Sequence, residues 1–249
     1  MTSVRTTPTL YLIPSNLAEG EPEQILPAST MAVASSLRHF VAENAKTARA
    51  FLKAIGHPLP LREIEVTELN QHTPPDELPA LLAPLRSGQS CGLLSEAGCP
   101  AVADPGSALV LAAQGMGVTV RPLVGPSSIL LALMASGLQG QRFAFHGYLP
   151  STTVERESRL RMLEAESRER DQTQVFIETP YRNLRLFASL VGCCAGDTLL
   201  CIASGLTGRA ERVTTLSVAR WQAGPEPSIR KVPAVFLLYA KRQLAHRHP

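Results

Sequence analysis

Four stretches of the chain join a short apolar run to a turn built from Pro, Gly and small polar residues, so each presents polar groups just beyond a strand end. The densest is residues 93–106, Leu-Leu-Ser-Glu-Ala-Gly-Cys-Pro-Ala-Val-Ala-Asp-Pro-Gly. It reads as a strand, a loop with two Pro and two Gly, and the entry of a helix. In open α/β sheets ligands bind beyond the carboxyl ends of strands, so Ser95, Glu96 and Ala97 occupy the expected place. Asp104-Pro105 reads as a helix start, with Asp as N-cap and Pro at the first helical position; capping alone would explain this Asp. The second stretch, residues 122–129, runs strand, Gly-Pro turn, helix start. There the amides of Ser127 and Ser128 would point out of a helix N-terminus toward a carboxylate or phosphate, and a purely structural turn would look the same. In the third, residues 176–182, Thr179-Pro180 repeats the cap-plus-proline device and leaves Glu178 at a strand end. The fourth, residues 202–207, ends a strand in Ser-Gly. Four strand ends built alike point to one cleft assembled from both halves of the chain.

The elements that must position these turns alternate between short apolar runs and helical patterns, which predicts an α/β fold. Strands are expected at 9–13, 30–34, 64–69, 90–95 and 118–122, and helices at 42–55, 75–86, 105–114 and 127–136. Further strands are expected at 142–145, 174–178, 199–203, 212–216 and 234–239. Because the later strands follow one another more directly, the expected boundary falls at 120–125. That separates residues 1–123 with a parallel sheet from 124–249 with a mixed one. Helix 42–55 pairs an apolar face (Ala45, Ala48, Leu52, Ile55) with a basic stripe of Lys46, Arg49 and Lys53. The stripe is either a solvated surface or a lure for phosphate or carboxylate. Helix 154–170 carries four acid-first i,i+4 pairs, Glu155–Arg159, Glu157–Arg161, Glu164–Arg168 and Glu166–Arg170, and reads as a solvated surface helix.

With 249 residues, 45% of them hydrophobic and 18% charged, the chain can bury a core and is no disordered polymer. Its net charge of +3 lacks the strong basic balance that announces a nucleic-acid binder. The first apolar run is too short for a secretory signal, and no run approaches the roughly 20 apolar residues that span a bilayer. Five cysteines (Cys91, Cys99, Cys193, Cys194, Cys201), odd in number and without a CxxC pair, read as reduced cytoplasmic thiols with no metal site. His39 and His146 read as structural or surface residues, and His246 and His248 as part of a C-terminal tail.

The run SEAGCPAVADPG, then GPSS followed by Ser136-Gly137, then FAFHGYLP at 143–150, then IETPYR, stand in that order. This set resembles the S-D-A-G-x-P-x-x-x-D-P-G, V-P-x-P-G-P-S-A, F-x-F-x-G-F-L-P and E-S-P-x-R patterns of the small-subunit ribosomal RNA methyltransferase I family. That family belongs to the tetrapyrrole-methylase superfamily. Order and spacing agree over roughly residues 8–240. The resemblance implies two α/β domains with S-adenosyl-L-methionine in the cleft between them, a homodimer, and a cytoplasmic methyltransferase. It implies cofactor contacts at Pro14, at the backbone of Leu94, Ser95 and Glu96, and at Cys99, Ser127, Ser128, Glu178, and Leu206 or Thr207. A common Rossmann-type methyltransferase would instead show a Gly-rich loop after its first strand, where this chain reads Pro-Ser-Asn-Leu.

The chain departs from the family on the acceptor side. The family's T-P-I-G-N-L-G-D is Ile13-Pro-Ser-Asn-Leu-Ala-Glu-Gly20 here, and its E-D-T-R is Glu43-Asn44-Ala45-Lys46. Its E-L-T-K-x-x-E is Gly205-Leu-Thr-Gly-Arg-Ala-Glu211, without the lysine. A hydroxyl or amine acceptor benefits from a general base, for which Glu43 and Glu178 are the candidates. Asn44, Lys46 and Arg49 are the candidate acceptor-binding residues. Three readings stay open: an RNA methyltransferase acting on ribosomal RNA ribose, a methylase of a tetrapyrrole-like small molecule, and a cofactor-binding but catalytically silent paralogue acting through partners.

Overall fold

Cys91–Leu94 is buried along its whole length, the pattern of a strand covered on both faces, and it forms the centre of a five-stranded sheet. Numbered in chain order, that sheet holds β1 (Thr9–Ile13), β2 (His39–Ala42), β3 (Glu65–Glu68), β4 (Cys91–Leu94) and β5 (Thr119–Pro122). All neighbours are parallel, in the order β3-β2-β4-β1-β5. The computed structural model describes residues 7–70 and 72–241, so His246 and His248 lie outside the described residues. The chain divides into two compact units, Met1–Ser127 and Ser128–Pro249.

In the first unit, α1 (Ala28–Ser36) and α2 (Ala45–Ala54) cover one face of the sheet. Ala34, Ala48 and Leu52 cluster there with Ile13, Phe40, Ala42 and Leu94. The other face takes α3 (Leu78–Leu81), α4 (Ala83–Arg86) and α5 (Ser107–Gly115), whose Leu81, Leu85, Leu109 and Ala113, with Leu82 between α3 and α4, pack on Leu10, Val41, Cys91 and Leu93. Gly92 is buried where a Cβ would lie 2.7 Å from Ile13 Cδ1 and 2.8 Å from Phe40, so the close packing of β4 requires a bare backbone. The β1-to-β2 connection runs toward one edge and the β4-to-β5 connection toward the other. With right-handed crossovers their helices must lie on opposite faces, as α1 and α5 do. β1 and β4 therefore flank the topological switch point, where open α/β sheets bind ligands.

Several local expectations are corrected. Residues 30–34 are not a strand but the middle of α1, and the second strand is His39–Ala42. A parallel pair needs a crossover, and Thr30 and Ala34, one turn apart, are buried on the same helical face. Residues 42–55 are not one helix: Ala42 ends β2, Glu43 lies in the loop, and Asn44 caps α2 through hydrogen bonds to its side chain from Lys46 N and Thr47 N. The helix expected at 75–86 is broken into short turns because Pro79 and Pro84 have no N–H to donate. Asp104 does not cap α5; Gly106 holds that position without a side-chain cap, and Asp104 instead closes its own loop.

The second unit holds α6 (Ser128–Ser136), β6 (Phe143–Tyr148), α7 (Thr153–Arg170), β7 (Thr173–Glu178), α8 (Asn183–Cys193), β8 (Leu199–Ser204), β9 (Arg212–Ser217), α9 (Val218–Ala223) and β10 (Ala234–Tyr239). Its sheet is mixed, in the order β6-β7-β10-β8-β9, with β6 and β7 parallel and the other pairs antiparallel. One core gathers Phe176 and Phe236 of the sheet with Leu160 and Leu163 of α7, Leu186 and Leu190 of α8, and Trp221 of α9. The helix expected to start at Thr179-Pro180 begins at Asn183, after a turn closed by Arg182 N to Thr179 O (2.9 Å).

α7 is not simply a solvated helix. Glu157–Arg161 and Glu166–Arg170 pair as expected, at 3.4 and 3.0 Å. Glu164, however, turns inward, accepting from Ala195 N (2.8 Å) and from the Thr198 hydroxyl, and Arg168 turns to Asp197. Replacing Glu164 by Ala strands the buried Thr198 hydroxyl and the part-buried Ala195 N–H. It is expected to cost about 2–3 kcal/mol in urea denaturation, against under about 0.5 kcal/mol for an exposed glutamate.

Candidate active site

The carboxyl ends of β1 and β4 are tied together by the loops that leave them. Ser15 and Gly98 form an isolated antiparallel bridge, with Ser15 N to Gly98 O at 3.0 Å and Gly98 N to Ser15 O at 3.2 Å. Ser15 Oγ donates to Ser95 O at 3.0 Å, and Ser95 Oγ donates to Gly98 O at 2.5 Å; both serines are buried. Gly98 takes φ +75°, which a side chain would strain, and a Cβ there would press on Leu17 at 3.0 Å. Residues 123–126, beyond β5, join the same group. Leu123 N donates to Leu12 O (2.9 Å), Cys99 Sγ to Pro126 O (3.4 Å), and Thr30 Oγ1 to Val124 O (2.7 Å). Gly125 lies so close to the Pro14 ring that a Cβ on it would stand 2.3 Å from Pro14 Cβ. Three loops from three strand ends thus form one interlocked rim.

The loop after β4 holds unusual backbone. Ala101 (φ 65°) and Ala103 (φ 56°) both occupy the left-handed region, which costs a non-glycine residue energy. Asp104 Oδ1 holds the bend by accepting from Ala101 N (3.3 Å) and Gly106 N (2.9 Å). The same corner gathers carboxylates. Glu43, just beyond β2, has its pKa raised above the ordinary value, first by burial and then by the charges of Glu96 and Asp104. Thr47 Oγ1, in the first turn of α2, lies 3.4 Å from Glu96 Oε1. Burial pushes the Cys99 thiol up, so it acts as a neutral contact and not a nucleophile.

Among the residues expected from sequence, the first unit thus brings together Pro14, Leu94, Ser95, Glu96 and Cys99, with Glu43 beside Glu96. Asn44 spends its side-chain oxygen as the cap of α2. Lys46 and Arg49 are exposed on that helix. In the second unit, Ser128 opens α6, one residue after the start expected at Ser127. Glu178 is buried, its Oε1 accepting from Thr179 N (2.6 Å) and from Arg182 Nε (2.9 Å) and Nη2 (2.7 Å). Leu206 is buried, and Thr207 sits at φ 65° with its N donating to Glu211 Oε2 at 2.7 Å. The Thr207 hydroxyl is buried with no hydrogen-bond partner among the described residues. Ser15, Asp104, Gly98 and Gly125 were not among the expected site residues. Ser15, the second residue beyond β1, and the Gly-Pro pair at 125–126 were the signals available for them.

No protein-family model matches the chain. It is 33% identical over 208 residues to ribosomal RNA small subunit methyltransferase I of Mesorhizobium japonicum, covering 84% of this chain and 67% of that protein. It is 31% identical over 237 residues to the protein of that name from Xylella fastidiosa, covering 92% of this chain and 81% of that one. The matching stretch of the Pseudomonas aeruginosa protein of that name, 32% identical, spans only 54% of that relative. The fold is that of the methyltransferase CobJ (TM-score 0.62, 18% identity, 96% of this chain and 98% of that one). It is shared by uroporphyrin-III-C-methyltransferase from Thermus thermophilus (TM-score 0.54, 18% identity, 94% of this chain and 93% of that one). Two tetrapyrrole-methylase-type α/β units, a knitted rim at the first sheet's switch point, and relatives above 30% identity agree: the chain is a methyltransferase and belongs to the ribosomal RNA small subunit methyltransferase I family.

Proposed function

We propose that the protein transfers a methyl group from S-adenosyl-L-methionine to a hydroxyl of ribosomal RNA, as a homodimer and without a metal. The observation that carries this reading is the interlocked rim of the first unit, where Pro14, Leu94, Ser95, Glu96 and Cys99 stand together at a topological switch point. The carboxylates of Glu43, Glu96 and Asp104 suit a cationic donor better than its neutral demethylated product. The donor supplies an activated methyl group on a sulfonium. The chain's own work is to hold donor and acceptor in line and exclude water, which contributes several kcal/mol to the barrier reduction. Glu43, whose pKa is raised by burial and then by the charges of Glu96 and Asp104, takes the acceptor proton. Glu178 is a weaker candidate for that role because Oε1 already accepts from three donors. Its part is to fix the turn after β7. The orphaned Thr207 hydroxyl supports a ligand contact on the second unit.

Among the described residues no group of three or more His, Cys, Asp or Glu is arranged to hold a metal ion, and no helix is long and apolar enough to cross a membrane. Lys46 and Arg49, exposed on α2 beside Glu43, supply charge for a phosphate-bearing acceptor. The rewritten segments Glu43-Asn44-Ala45-Lys46 and 205–211 favour a second reading, a small-molecule acceptor. Calorimetric titration with S-adenosylmethionine in the presence of a chelator is expected to show binding. Mass spectrometry of ribosomal RNA nucleosides is expected to show one methylated nucleoside lost when the gene is deleted. Binding with unchanged RNA and an altered metabolite would favour the second reading. A folded sample that binds neither the donor nor its demethylated product would overturn both.

A further inference from the structure

Adjacent cysteines at the end of α8 stand outside the machinery described above. Cys193 is the last residue of the helix and Cys194 its cap, and their Sγ atoms are 4.0 Å apart. Cys194 is buried in the core that holds Trp221, whereas Cys193 is half-buried. Gly192 beside them is exposed, with open space where its Cβ would be.

The separation decides what this pair can do. A disulfide needs its sulfurs about 2.05 Å apart and its Cα atoms at least about 4.4 Å apart, but consecutive Cα atoms are held at about 3.8 Å. Direct oxidation would therefore strain the end of α8. A centre that keeps a lone pair binds two thiolates at a pyramidal angle of roughly 95–100°, so bonds of about 2.3 Å leave the sulfurs about 3.5 Å apart, within a small side-chain rotation of the 4.0 Å that the fold provides. A metal ion that demands four protein donors finds no third ligand among the described residues. A trivalent arsenic centre with one organic substituent needs only two.

We infer that Cys193 and Cys194 form a bidentate site for monosubstituted trivalent arsenicals. With an arylarsine oxide, two As–S bonds form, the As=O bond breaks, and both thiol protons leave with the oxygen as one water; nothing is oxidised. Cys193 attacks first because it is accessible. The hydrogen bond from Cys194 holds its thiol below the ordinary range, with Arg161 of α7 adding to this and burial, Glu157 and Glu164 opposing it. Cys194, whose thiol is pushed up by that hydrogen bond and by burial, closes the ring.

The test is intact-protein mass spectrometry with phenylarsine oxide, read beside the fluorescence of Trp221, the chain's single tryptophan. The expected result is one adduct per chain, on the peptide holding both cysteines, with a fluorescence change in step. An excess of 2-mercaptoethanol should leave it in place and 2,3-dimercaptopropanol should remove it. Cys193→Ser, expected to melt as the wild type does because the side chain is half-buried, should lose the adduct that resists the monothiol, and Cys194→Ala should do the same. An adduct that survives in Cys193→Ser, yields to the monothiol, or maps to Cys91, Cys99 or Cys201 would overturn the assignment.

Discussion

Gly125→Ala is expected to destabilise the first unit by at least the upper part of the roughly 1–3 kcal/mol range typical of overpacking, and to weaken donor binding tenfold or more, about 1.4 kcal/mol. The added methyl would stand 2.3 Å from Pro14 Cβ, 2.7 Å from Pro14 Cγ and 3.2 Å from Leu26 Cδ2. The proline ring cannot swing aside as a flexible side chain would. Either residues 123–126 or the segment after β1 must move, and both belong to the rim that Cys99 and Ser15 tie together. Gly20→Ala is the control, because nothing lies within 4 Å of the methyl it adds. Denaturant midpoints and donor titration of the two variants check the prediction. Equal affinities would show that the close approach of Gly125 to Pro14 has no part in binding.

Glu43→Gln is expected to lower turnover by about 10²–10⁴, the usual contribution of a general base, while making the protein more stable at neutral pH. Burial, followed by the charges on Glu96 and Asp104, raises the Glu43 pKa. The folded chain therefore holds this proton more tightly than the unfolded chain does. The stabilisation is fully present below the unfolded value and is lost as pH rises through the folded one. At pH 7 the ionised side chain works against the fold, so glutamine should raise the melting temperature there and change it little at pH 4. Activity runs the other way, because the base must be deprotonated. Wild-type kcat should rise through the raised Glu43 pKa, and Glu96→Gln should move that limb to lower pH by removing a repelling charge. Wild-type turnover in Glu43→Gln would return this residue to the scaffold. The opposed signs for activity and stability separate a catalytic carboxylate from a structural one.

What the sequence alone determined was whatever short-range chemistry dictates. Periodicity located β1, β4, β7, β8 and β10, whose apolar runs are buried whichever neighbours they find. The Gly-Pro-Ser-Ser segment set the start of α6. The ordered motifs carried the family, because each marks a strand end where the backbone must turn. β2 runs straight into the segment that read as helix 42–55 and so was not announced as a strand, while residues 30–34 were apolar enough to imitate one; the need for a crossover between parallel strands decided both. Pairing on helix α7 was likewise visible only in part. Glu157 and Glu166 keep their i,i+4 partners on the surface, whereas Glu164 faces inward, where two donors from the 195–198 turn outweigh an exposed arginine. Tertiary structure alone brought Glu43, Glu96 and Asp104 together from two loops more than fifty residues apart in sequence. It also set Gly125 against Pro14 and turned Asp104 from a helix cap into the clasp of its own loop. Local propensity acts over a few residues, while the strand order β3-β2-β4-β1-β5 chooses which distant loops become neighbours, and the charge environment of the site follows from that choice.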